Sequence, residues 1–136
     1  MEKELNFQFT VENDEQGNPD SLSLAKAIFA VLDNRRGEDL AVIRVGEKID
    51  LTDFFVLCTA QSNTHVKALC DEVEFRLEQI GIGADRIEGR GSDNSWMVMD
   101  YGCVLVHIFS RESREFYNLD KLYSDAEKIE ITAKAE

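Results

Sequence analysis

The stretch WMVMDYGCVLVHIF, residues 96–109, decides how the chain folds. Two apolar runs of strand character flank Tyr101-Gly102, and glycine supplies the positive φ that a tight hairpin turn needs. With Tyr101 and Gly102 as the loop, Asp100 faces Cys103, Val98 faces Leu105 and Trp96 faces His107. Met97 then faces Val106, and Met99 faces Val104. Side chains alternate between the two faces of a strand. One face carries Met97, Met99, Val104, Val106 and Ile108 and belongs against a core. The other carries Trp96, Val98, Asp100, Cys103, Leu105 and His107. This second face reads in two ways. It is a surface for a partner, where tryptophan is a favoured anchor. Or a helix covers it, with Trp96 ordinary core and His107 a satisfied buried histidine.

Working outward, residues 54–59 are apolar throughout, as in a strand covered on both faces. Ser62 fits an N-cap, and Val66, Leu69, Cys70, Val73, Leu77 and Ile80 recur at steps of three and four up to Gly81. That is a long amphipathic helix with its natural stop. A second helix fits residues 21–35, capped by Asp20 or Ser21, with Leu24, Ala27, Ile28, Val31 and Leu32 inward and Gly37 at its end. Residues 39–45 read as a strand, 86–88 as a short strand, and 113–123 as a helical turn or two. A strand, a helix and a further strand suggest a right-handed parallel crossover. The expected fold is α/β: a single domain with a mixed β-sheet flanked by helices. Residues 21–126 form that domain, 1–20 an acidic N-terminal extension and 127–136 a polar tail. Within the extension, residues 5–11 alternate apolar and polar. They fit an edge strand, a partner-pairing strand, or a tail with chance alternation.

The 136 residues, 43% apolar and 31% charged, suit one domain with one core. No apolar run is long enough to span a membrane, and the acidic N-terminus lacks a signal-peptide core, so the expected location is cytoplasmic. Three cysteines form no paired framework and fit reduced thiols. A net charge of −12 opposes direct, sequence-specific nucleic-acid contact and favours basic protein surfaces. Charge alone fits a merely soluble acidic protein equally well.

Reaction centres are scarce. Cys103 and His107 lie four strand residues apart, roughly 13 Å, too far to chelate one ion, and neither CxxC nor HExxH is present. Ser62-Asn63-Thr64-His65 superficially pairs a nucleophile with a base, yet at a helix start it reads as a cap with a first-turn histidine. Residues 59–62 lack the glycines and lysine of a phosphate-cradling loop. A metal-dependent nucleotidyltransferase needs two acids two residues apart, but Asp100 is followed by Tyr101 and Gly102. The expectation is a protein without catalysis, cofactor or metal.

LTDFFVLCTAQSNTHV, residues 51–66, and EGRGSDNSWMVMDYGCVLVHIFSRESREFYNLDKLYSDA, residues 88–126, resemble the ribosomal silencing factor (RsfS, Iojap) family. The likeness runs over residues 22–126. It is carried by Thr-Asp before an apolar strand, Ser-x-x-His, Glu-Gly, a Trp, Asp-Tyr-Gly, Val-His and Arg-x-x-Tyr-x-Leu. The resemblance implies a nucleotidyltransferase-like fold without catalysis, and a translational repressor. Such a protein docks on the large ribosomal subunit, on universal large-subunit protein fourteen, and blocks joining of the small subunit. It also implies a homodimer of the free protein. The alternative is a metal-dependent nucleotidyltransferase-type enzyme. Residue reading and resemblance converge on one partner-binding face, with Trp96 as anchor, Asp100, Tyr101 and Glu88 around it, and His107 across from the indole. Ala60, Cys103 and Tyr123 depart from the family's usual glycine, acid and tryptophan. A missing acid at Cys103 is expected to weaken contact with a basic partner.

Overall fold

The computed structural model describes residues 9–90 and 93–131. Helix α1 (Ser21–Asn34) leads to β1 (Glu38–Arg44) and β2 (Phe54–Ala60). Helix α2 (Asn63–Glu78) follows, then β3 (Arg86–Arg90), β4 (Trp96–Asp100) and β5 (Val104–Ser110). Two short helices, α3 (Arg111–Tyr117) and α4 (Leu119–Leu122), precede β6 (Glu127–Ile129). All six strands join one sheet in the order β3-β4-β5-β2-β1-β6. β2 and β5 run parallel at its centre, and each other neighbouring pair is antiparallel. The sheet is therefore mixed, as expected. The β2–α2–β3 connection passes over β5 and β4 before β3 takes its place at the edge.

Local signals set the helix ends. Asp20 accepts from the Ser23 amide at 3.0 Å and Ser62 from the His65 amide at 3.0 Å, each relieving an orphan donor of a first turn. Gly81, at φ +83°, stops the chain after α2. The end of α1 differs from expectation, because Arg36 takes the left-handed position at φ 71°. Gly37 serves space instead: a Cβ there would stand 2.5 Å from the Cys58 Sγ.

β2 is buried at every position and β5 at all but Ser110, so both sheet faces need cover. On one face α1 and α2 pack Leu24, Ile28, Leu69 and Val73 against Phe54, Val56, Met99 and Val106. On the other, Ile43, Phe55, Leu57, Leu105 and Phe109 form a second buried layer beneath Leu119, Tyr123 and Ala126. The second face is thus covered over β5, β2 and β1.

The hairpin differs from expectation by one step of the turn. Trp96 pairs with Phe109, Val98 with His107 and Asp100 with Leu105, which makes Gly102-Cys103 the loop and takes Cys103 off the second face to pack against the first core layer. Asp100 Oδ1 accepts the Gly102 N–H at 2.8 Å and Gly102 sits at φ +84°, and together they fix that turn. Moving a two-residue loop by one position displaces every partner by two. Side-chain period is also two, so the division into faces survives. Residues 127–129, placed in the polar tail by sequence, instead form β6, where Arg44 Nε donates to Glu127 Oε1 at 2.9 Å. Residues 5–8 of the alternating segment lie outside the described residues. Phe9 and Val11 are in no strand and pack against the first core layer. No helix among the described residues is long and apolar enough to cross a membrane.

Candidate functional site

β4 places Trp96, Val98 and Asp100 on the second face, and β3 sets Glu88 opposite Val98 and Arg86 opposite Asp100. Trp96, Val98, Asp100 and Glu88 are only partly buried. The indole stacks on Phe109 with ring centres 5.2 Å apart, and Tyr117 of α3 lies against it at 4.4 Å, tilted by 43°. Two hydrogen bonds hold this corner together. Ser110 N–H donates to the Ser95 carbonyl at 2.8 Å, and Ser113 Oγ–H donates to Ser95 Oγ at 2.8 Å. Phe116 meets Tyr117 edge-to-face at 5.0 Å and is 80% exposed. Trp96, Tyr117 and Phe116 thus form an aromatic ridge from sheet to helix, with Glu88 diagonal to Trp96 on β3 and Asp100 at the far end of β4, roughly 13 Å along the strand.

The other two sequence-chosen residues lie elsewhere. Tyr101 is 9% exposed and sits in the first core layer, on the opposite sheet face. Burial, reinforced by Glu74, pushes its phenol well above the ordinary range, and its hydroxyl has no hydrogen-bond partner among the described residues. His107 is 5% exposed, because β5 lies at the centre of a sheet covered on both faces. Its Nδ1 accepts the Trp96 indole N–H at 3.2 Å, so it lies under the ridge rather than on it.

Phe116 and Tyr117 were missed as site residues. Tyr117 lies four residues after the buried Ser113, on the same side of the helix, which brings it to Trp96, but a seven-residue helix is too short for its apolar spacing to have shown this in the sequence. The Glu88-Gly89 motif also gains a reason. A Cβ on Gly89 would collide with the Asn94 amide folded across β3. The loop between β3 and β4 is tied to the start of α2, where Asn63 Nδ2 donates to Asp93 Oδ2 at 2.9 Å.

A second candidate place lies at the carboxyl ends of β2 and β5. In α/β sheets, ligands gather outside the carboxyl ends of adjacent parallel strands whose following helices leave to opposite faces. β2 and β5 are such a pair, leading to α2 and α3. The chain's own polar groups occupy that crevice. Glu38 accepts from Gln61 Nε2 at 3.2 Å and from Arg111 Nη2 at 2.6 Å. Arg114 donates to Thr59 Oγ1 at 2.9 Å and clasps Asp120 through Nε and Nη2, holding that carboxyl below its ordinary pKa. His65 Nδ1 accepts the Gln61 N–H at 2.9 Å while Nε2 donates to the Arg35 carbonyl at 3.0 Å, so His65 clamps a loop and is no partner for the Ser62 hydroxyl. Burial pushes the Cys58 thiol up to about 12 and Cys70 up to about 11, which keeps both protonated at neutral pH. Among the described residues, no three His, Cys, Asp or Glu side chains are grouped to hold a metal ion.

The fold and this site define a small α/β domain with a self-bonded polar crevice and an aromatic ridge at the edge of its sheet. The family profile described as "Ribosomal silencing factor during starvation" matches residues 18–136, and the chain belongs to that family of ribosome-associated silencing factors. It is 32% identical over 104 residues to the ribosomal silencing factor RsfS of Bacillus subtilis, covering 76% of this chain and 87% of that protein. It is 32% identical over 124 residues to the chloroplastic protein Iojap of Zea mays, covering 90% of this chain and 52% of that protein. A mouse protein named for mitochondrial assembly of the large ribosomal subunit is 28% identical over 100 residues, covering 71% of this chain and 43% of that protein. A Bacillus halodurans crystal structure superposes with a TM-score of 0.65 at 29% identity, covering 81% of this chain and 96% of that one. One from Chromobacterium violaceum superposes with a TM-score of 0.73 at 24% identity, covering 85% and 95%.

Proposed function

We propose that this protein silences translation by docking on the large ribosomal subunit, at universal large-subunit protein fourteen, where its bulk blocks joining of the small subunit. The observation that carries the reading is the ridge of Trp96, Tyr117 and Phe116. It is a partly exposed aromatic cluster on a chain of net charge −12, built as an anchor for a basic protein surface. Glu88 and Asp100 stay in the docking face, Phe116 and Tyr117 join it, and Tyr101 leaves it. The mechanism is steric: no bond is made or broken. The protein works in the cytoplasm, and free chains pair as dimers, a state read by analytical ultracentrifugation.

The test is co-sedimentation with purified subunits. The protein should travel with large subunits and not with assembled ribosomes, and rising salt should weaken the association. Equal binding to joined ribosomes would defeat the blocking mechanism. The mouse relative's name favours a second reading, assembly of the large subunit. That role requires tight binding to isolated protein fourteen before it enters the subunit. A nucleotidyltransferase-type reaction has less support. Asp100 has no second acid two residues on, and its Oδ1 is engaged by the hairpin turn.

A further inference from the structure

Building on the docking reading, we propose that His107 is the positioning residue of the docking face: its imidazole holds the Trp96 indole in the plane that meets the partner. The indole nitrogen can only donate, so the bond at 3.2 Å requires a lone pair on Nδ1 and puts the ring proton on Nε2. Strand register makes the bond reachable. Trp96 lies directly opposite Phe109 and diagonal to His107, so the indole stacks on one while its N–H points to the other. The imidazole is itself immobilised. It is 5% exposed, meets Phe55 edge-to-face at 4.6 Å and lies parallel to Phe109 at 6.0 Å.

A purely structural histidine would be replaceable by any side chain of similar volume. A positioning histidine needs an acceptor where Nδ1 stands. Leucine fills the space but confronts the indole N–H with an apolar wall, and a buried donor without a partner turns toward water. Asparagine returns an oxygen near the Nδ1 position. The two variants therefore separate packing from positioning.

The chain has one tryptophan, so its indole resonance and fluorescence report Trp96 alone. In the full-length protein the indole Nε1–H should be protected from hydrogen exchange. In His107→Leu its exchange should quicken about tenfold and large-subunit affinity should fall about tenfold, the change expected when one such hydrogen bond is lost. His107→Asn should recover part of both. In a Trp96→Phe background, where no N–H exists, His107→Asn should leave affinity where Trp96→Phe alone puts it, a coupling that does not depend on the leucine variant folding. An unchanged indole signal in His107→Leu, or equal effects of His107→Asn with and without the indole, would overturn the assignment. If wild-type protein shows no subunit binding, the docking reading fails, while the resonance and exchange measurements still decide whether His107 holds the indole.

Discussion

The Trp96 and Tyr117 rings lie 4.4 Å apart, tilted by 43°, so a strand and a helix present one shared aromatic surface. Each ring covers part of the other, and neither can be deleted without moving its neighbour. Trp96→Ala therefore mixes two losses, the docking anchor and the packing on Phe109. It should lower both thermal stability and subunit affinity. Phe116→Ala is cleaner, since the ring is 80% exposed. It should weaken subunit binding by about 2 kcal/mol, the usual threshold for an interface hot spot, with a melting temperature close to wild type. Unchanged co-sedimentation of Phe116→Ala would remove the ridge from the docking face.

Tyr101→Phe separates the two sheet faces. The Tyr101 hydroxyl is buried without a hydrogen-bond partner among the described residues, a desolvated group that gives nothing back. Its removal should raise stability by up to about 1 kcal/mol and leave subunit binding unchanged. Loss of binding in this variant would return Tyr101 to the partner surface.

Gly37→Ala tests the contact between the end of α1 and the centre of the sheet. The added methyl group would stand 2.5 Å from the Cys58 Sγ and 3.0 Å from the Leu32 carbonyl oxygen, where backbone cannot yield cheaply. The overpacking should cost about 1–3 kcal/mol. Chemical denaturation should show the drop, and adding Cys58→Ala should restore part of it.

High pH should unfold the protein through its buried thiols. The ordinary thiol value is 9.0, and burial raises Cys58 to about 12 and Cys70 to about 11. The folded state then keeps its protons after the unfolded state has lost them. Stability from this source is complete below pH 9 and declines as pH rises, toward 12 for Cys58 and toward 11 for Cys70, by up to about 1.4 kcal/mol per pH unit for each thiol. Melting curves from pH 8 to 11 should show the decline, and Cys58→Ala should make it shallower. Iodoacetamide should label Cys58 only after denaturant is added.

Sequence alone determined what depends on near neighbours along the chain. The period of three and four in residues 66–77, the caps at Asp20 and Ser62 and the unbroken apolar run of β2 each follow from contacts within a turn or a strand, and each appears where the spacing puts it. The two faces of the hairpin were also legible, since alternation is a property of the strand itself. Tertiary structure decided what depends on distant segments meeting. It sank Tyr101 and His107, because β4 and β5 entered a sheet layered on both sides. It brought Phe116 and Tyr117 beside Trp96, because Ser110 and Ser113 both bond to Ser95 and hold α3 against the start of β4. It drew residues 127–129 into the sheet, because β1 had an open edge of unpaired backbone. Periodicity tells a side chain which way to point from its own backbone; only packing supplies what stands there to meet it.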